Sequence, residues 1–260
     1  MSAPPAEHPV LETRGLTVRF GGHAAVNGVS AAFRRGTLTA IVGPNGAGKT
    51  TYFNLVSGQL AASAGSVHLF GEDVSRLSAP QRAQRGIGRA FQLTQLFPNL
   101  TVLENVRLAV QSRARAGLRL FSLWSSHVEL IEKAEHYLHR VSLVERRDAP
   151  AASLSHGEQR KLEVAILLAL EPQVLMFDEP TAGMSVDEVP IVLDLIRSIQ
   201  EQGDRTVLLV EHKLEVVRSL ADRILVLNDG RLVADGDPSE VMASPIVQEA
   251  YLGAVVVEDA

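Results

Sequence analysis

Residues 43–50 read Gly-Pro-Asn-Gly-Ala-Gly-Lys-Thr, which meets the spacing G-x-x-x-x-G-K-S/T. A short apolar run, Thr39-Ala40-Ile41-Val42, leads into it, and Lys49 to Leu60 carries a helical pattern after it. The loop is therefore predicted to join a buried strand to a helix, which commits the chain to a strand–loop–helix unit with a pre-shaped end. Glycines at these positions let backbone N–H groups curl around phosphate oxygens at the positive end of the following helix. Lys49 would set its ammonium on the β- and γ-phosphates, and the Thr50 hydroxyl would ligate Mg²⁺. The candidate nucleotide cradle is thus Gly43, Pro44, Asn45, Gly46, Ala47, Gly48, Lys49, Thr50 and Thr51.

The rest of the chain supplies the sheet such a loop needs. Residues 10–20 and 29–42 carry β-type runs, and Ser66 to Phe70 alternates like a strand. From about Ser78 to Val144 helical stretches dominate, including Val128 to Val144, whose apolar residues stand at Leu130, Ile131, Ala134, Leu138 and Val141. Beyond Pro172, strands are predicted at Val174–Phe177, Thr206–Val210 and Arg223–Leu227, with helices at Val189–Gln202 and Leu214–Ala221. Asn228-Asp229-Gly230 is a hairpin turn into Arg231–Ala234, and Gly236 to Glu240 reads as a turn and helix cap. Alternating strands and helices imply an α/β fold with a largely parallel sheet between helices. Residues 112–124, SRARAGLRLFSLW, fit a solvated helix with an apolar underside, or a surface that docks a membrane partner.

Composition narrows the function classes. The 260 residues are 46% hydrophobic and 21% charged, a globular balance with length enough for a sizeable core. The net charge of -5 offers nucleic acid no global attraction, so no nucleic-acid partner is expected. Absence of cysteine removes disulfide and thiolate chemistry and suits a reducing compartment. Residues 1–9 resemble a loose tail without the pattern of a secretory leader. The longest apolar run, Val164 to Leu170, falls well short of the roughly 20 residues that cross a bilayer, so any membrane role is expected through a partner.

Val174-Leu175-Met176-Phe177-Asp178-Glu179 is an apolar strand ending in two carboxylates. Strand C-termini in open α/β sheets face the ligand crevice. Asp178 is the candidate for the metal shell, and Glu179 for the base aimed at the water that attacks the γ-phosphate. His212, after Val207 to Val210 and Glu211, would reach the same crevice and orient that water. Gln92, closing Gly88-Arg89-Ala90-Phe91-Gln92, is by itself a weak signal. The remaining histidines show no metal-ligand spacing.

Taken in order, GPNGAGKT, Gln92, LSHGEQ (154–159), LMFDEP (175–180) and His212 are similar to the nucleotide-binding subunit of an ABC transporter, over nearly the whole chain. That resemblance implies a P-loop ABC cassette spanning 10–253, with a parallel-sheet core, an antiparallel β portion, a helical subdomain at about 78–150 and a C-terminal tail at 254–260. It implies that LSHGE is the segment completing the ATP site of a second ATPase subunit in a head-to-tail dimer. Ser155 and Gly157, with Glu158 in the same segment, would then contact the γ-phosphate held by the partner. Phe20 would stack on adenine, worth roughly 1 to 3 kcal/mol, with an ordinary strand aromatic facing the core as the lesser alternative. Gln92 would reach Mg²⁺ or the attacking water and couple hydrolysis to the permease.

Four positions depart from the family's common text: His156 in a glycine slot, Glu158 in a glutamine slot, Ser185 where Asp is frequent, and Ile166 where Arg is frequent. Gly88 to Gln92, Leu96 to Val102, Thr181 to Met184, Val210-Glu211-His212 and Ala250 to Gly253 resemble ATP-binding subunits of branched-chain amino acid importers. Urea importers and the lipopolysaccharide-export ATPase have similar text. The implied partners are multi-spanning permease subunits and, indirectly, a substrate-binding protein; the implied place is the cytoplasmic face of the inner membrane. A soluble ABC ATPase of translation or repair is the reading from another class. One cassette and no sustained heptads speak against it.

Overall fold

The computed structural model describes residues 9–90, 96–114, 128–185, 187, 189–212, 214–245 and 247–249. Alternation of apolar and polar residues folds the N-terminal stretch into β1 (Leu11–Phe20) and β2 (His23–Phe33), paired antiparallel. Inward positions in β1 run Leu11 and Thr13, then Leu16 and Val18. The phase slips by one residue at Gly15 (φ 56°), where the register with β2 shifts, as a β-bulge requires. The expected continuous run over 29–42 is instead two strands, because Gly36 (φ 71°) turns the chain before β3 (Leu38–Val42).

After β3 the chain forms α1 (Lys49–Ser57), which stops three residues short of the expected Leu60 because Gly58 (φ 81°) takes the left-handed cap. Next come β4 (Ala64–Leu69) and β5 (Glu72–Asp73), which extend the antiparallel sheet to the order β2-β1-β4-β5. Helix α2 (Ala79–Gln84) holds Arg82, 3% exposed, whose guanidinium donates to the carbonyls of Leu55 and Val56 at 2.7 Å each and to Ser75 and Leu77. Orphan carbonyls at the end of α1 are thereby satisfied by a buried cation.

The second sheet has the order β10-β9-β3-β8-β7-β6. Its strands are β6 (Ile87–Ala90), β7 (Val174–Asp178), β8 (Thr206–Val210), β9 (Arg223–Asn228) and β10 (Arg231–Gly236). Pairs β3/β8, β3/β9 and β7/β8 are parallel and β9/β10 antiparallel. Strands β3, β7 and β8 are buried at every position, as strands covered on both faces must be. Strand β6 lies within the stretch, Ser78 to Val144, where helices were expected to dominate. Gly88 explains the tight fit there, since a Cβ would lie 2.7 Å from the Leu167 side chain and 2.8 Å from Pro172.

The chain divides into two compact units. The first comprises residues 1–87, 173–179 and 197–260; the second comprises 88–172 and 180–196. The expected helical insertion at 78–150 differs from this division at both ends, with α2 in the first unit and the segment through residue 172 in the second. The main core of the first unit joins Tyr52, Phe53 and Val56 of α1 to Leu11, Leu16 and Phe33 on one side and Met176, Leu208 and Val210 on the other. Thr13 Oγ1 meets the Tyr52 hydroxyl at 2.9 Å there, and burial raises the phenol well above its ordinary pKa. Helices α7 (Leu214–Leu220) and α8 (Pro238–Ala243) follow, the latter capped by Asp237.

In the second unit, α3 (Val102–Arg113) and α5 (His156–Ala169) each begin with a capping box, Thr101/Glu104 and Ser155/Glu158. Helix α4 (Val128–Arg140) packs against both. It ends before the expected Val144 because Ser142 turns to φ 55° and Leu143 N–H returns to Leu138 O at 2.9 Å. Helix α6 (Val189–Glu201) runs through the boundary between the units. Of the stretch 112–124, residues 115–124 lie outside the described residues. No described helix is long and apolar enough to cross a membrane.

Candidate nucleotide site

The Gly-rich loop connects β3 to α1, as its context predicted. Two glycines are required by close approach. A Cβ at Gly43 (φ 152°) would lie 2.1 Å from Leu227 O, and one at Gly48 (φ 94°) 2.3 Å from Ala25 O. The β9–β10 hairpin closes the loop from the side, with Gly230 N–H donating to Ala47 O at 3.1 Å. Asp229 and Gly230 both have positive φ (47° and 71°), the geometry of a tight primed turn. Helix α1 begins at Gly48 with no side chain capping it and no acidic residue in its first turn. Its N–H groups and positive dipole end are thus left for an external anion.

A cleft of about 250 Å³ opens over this end, lined by Ala25, the loop residues Asn45 to Thr51, Glu179 and His212. A larger cleft, about 550 Å³, lies among Pro9, Arg34, Asp222, Arg223 and Asp237. There Arg223 is engaged by Asp235 and the Ala32 carbonyl, and Asp222 by Leu38 N–H and Gln200. The smaller cleft is the one where the Gly-rich loop, the start of α1, Glu179 and His212 converge.

Lys49 is 5% exposed and its ammonium donates to Gly43 O at 2.7 Å and Pro44 O at 2.9 Å. Burial lowers its pKa from the usual lysine value, against the opposing charges of Glu179 and Asp178. Asp178, 3% exposed, closes β7 opposite Val210 of β8. Glu179 follows at φ 50°, its N–H bonded to Val210 O at 3.0 Å, and its Oε1 lies 2.5 Å from His212 Nε2. The two residues predicted as base and orienting group therefore meet directly.

Phe20 ends β1 and is 54% exposed, which sets aside the reading of a core-facing aromatic. It is not among the residues lining the phosphate cleft. Gln92 lies outside the described residues. In the second unit, Ser155 and His156 are exposed at the start of α5. Glu158, expected at nucleotide, is used locally: its carboxylate accepts Ser155 N–H at 2.9 Å, its own N–H donates to Ser155 Oγ at 3.3 Å, and Arg146 approaches at 3.5 Å. The S-x-x-E spacing was a readable capping signal. Sequence reasoning passed over Ala25, whose carbonyl shapes the loop, and Glu211, a buried acid beside His212; only the strand end before Glu211 hinted at it.

Among the described residues no group of three or more His, Cys, Asp or Glu could hold a metal unaided. A hydroxyl and a carboxylate, the donor types of Thr50 and Asp178, match the chemistry of Mg²⁺, which keeps waters and takes only one or two protein oxygens beside those of a phosphate.

The chain matches the family described as ABC transporter over residues 26–182, and that described as branched-chain amino acid ATP-binding cassette transporter over residues 231–257. It is 39% identical to the high-affinity branched-chain amino acid transport ATP-binding protein BraF of Pseudomonas aeruginosa, across 94% of this chain and 98% of the relative. LivG of Escherichia coli, of the same description, is 36% identical over the same shares. A crystal structure of an ATP-binding cassette of an ABC transporter in its ADP conformation superposes with a TM-score of 0.82 at 29% identity, covering 94% of this chain and 98% of that one.

Proposed function

This chain belongs to the ABC transporter family, and from that premise we propose that it is the ATP-hydrolysing subunit of an importer of branched-chain or other hydrophobic amino acids. The observation that carries the hydrolytic reading is the 2.5 Å pairing of Glu179 with His212 at the lip of the Gly-rich loop. The amino acid reading is supported by the match at residues 231–257 and by the names of the relatives.

ATP lays its phosphates over the start of α1, where Lys49 exchanges its two loop carbonyls for β- and γ-phosphate oxygens. Backbone N–H groups of the loop hold the remaining oxygens. Glu179 takes a proton from the attacking water as its oxygen bonds to the γ-phosphorus and the bond to ADP breaks. His212 holds Glu179 and the water in line. Mg²⁺ held by Thr50 and Asp178, with Gln92 as a further ligand, would neutralise charge on the phosphate oxygens. Phe20 receives the adenine. Ser155 and Gly157 complete the site of a second ATPase subunit, so closure of the pair depends on bound ATP. The working complex adds multi-spanning permease subunits and a substrate-binding protein, with this chain peripheral on the cytoplasmic face.

Glu179→Gln should bind ATP with unchanged affinity while kcat falls about 10²- to 10⁴-fold, the span for loss of a general base. Near-wild-type turnover would refute the assignment. For the cargo, purification from detergent-solubilised native membranes followed by mass spectrometry should recover permeases and an amino-acid-binding protein; recovery with export subunits would overturn import.

A further inference from the structure

Glu211 is a buried acid for which the hydrolytic scheme above has no use. It is 3% exposed and follows β8, whose five residues are all buried. Burying a carboxylate where an apolar residue would continue the strand is costly, and needs compensation by a specific hydrogen bond.

The sheet ladder ends one residue before it. Ile41 of β3 and Asp178 of β7 both stand opposite Val210, and Val210 O receives the N–H of Glu179. Beyond that point the N–H of His212 is taken by Glu211 Oε2 at 3.1 Å. The ring of the same His212 meets Glu179 Oε1 at 2.5 Å. A continuous path therefore runs from the buried carboxylate, through the main chain of residue 212, to the imidazole and the base. A buried hydrogen bond from the N–H of residue 212 suits an anchor that must keep a ring in one place, since leaving either group unpaired there is costly.

We infer that Glu211 is a positioning residue for ATP hydrolysis: by fixing the main chain of His212 it sets the imidazole against Glu179. It does not line the phosphate cleft and acts through His212. The inference rests on the roles proposed above for Glu179 and His212.

The test is a double-mutant cycle on the full chain, reading kcat and KM for ATP in wild type, Glu211→Ala, His212→Ala and the double variant. Misplacement of a reacting group by about 1 Å costs on the order of 10²-fold, so Glu211→Ala should lower kcat roughly 10- to 100-fold. KM should stay within about twofold, as for a group acting on the transition state alone. In the His212→Ala background, Glu211→Ala should cause no further loss, since the two act as one unit. Glu211→Gln, which keeps an acceptor oxygen, should recover most of kcat. Should Glu211→Ala not fold, Glu211→Asp, shorter by one methylene, replaces it in the cycle.

Equal losses in both backgrounds would mean a structural role and overturn the inference while His212 keeps its function; so would an unchanged kcat in Glu211→Ala. An unchanged kcat in His212→Ala alone would remove the proposed role of His212, and this inference with it.

Discussion

At the residue scale, the phosphate cradle depends on positions where a side chain has no room. Gly48 combines φ 94° with a carbonyl 2.3 Å from where Cβ would stand, whereas Gly71 (φ 81°) has nothing within 4 Å of that point. Left-handed backbone costs a non-glycine residue about 1–2 kcal/mol, so Gly71→Ala should lose that much and bind ATP normally. Gly48→Ala should in addition displace Ala25 O and abolish ATP binding. Thermal melts with an ATP titration separate the two, and normal binding by Gly48→Ala would refute the account. Glycine spacing was legible from the motif. The obstacle was not, because Ala25 and Leu227 come to the loop from strands distant in sequence.

At the element scale, helix ends carry two kinds of work. Ser155 caps α5 through the reciprocal pair with Glu158, and it is also the side chain proposed to meet a partner's γ-phosphate. Ser155→Ala should cost about 1 kcal/mol as a lost cap. Ser155→Asp should keep the cap and the stability, yet oppose phosphate with its charge. Loss of ATPase activity in both variants, with loss of stability only in Ser155→Ala, is the expected result. Full activity in Ser155→Asp would leave Ser155 a cap and nothing more. The element types were readable from periodicity, but their ends depended on turns such as Gly36, Gly58 and Ser142 that change the backbone's hand. The strand β6 was missed because a four-residue run with Gly88 at its centre has no period to detect.

At the scale of the whole molecule, nucleotide should change assembly state. In Glu179→Gln, ATP persists unhydrolysed, so sedimentation should show a stable dimer with ATP and a monomer without nucleotide. A monomer at saturating ATP would count against the head-to-tail pair. The sequence by itself determined the loop, the strand–helix alternation, the hairpin at residues 228–230 and the carboxylate pair ending β7. Each of these is written in contiguous residues whose backbone demands are local. Only the tertiary structure decided that Glu179 meets His212, that Gly230 buttresses Ala47 and that Arg82 satisfies the end of α1. These depend on which strands lie side by side and where each ladder stops. Hydrogen bonds between distant segments are selected by packing of the whole core, and no short stretch of residues encodes them.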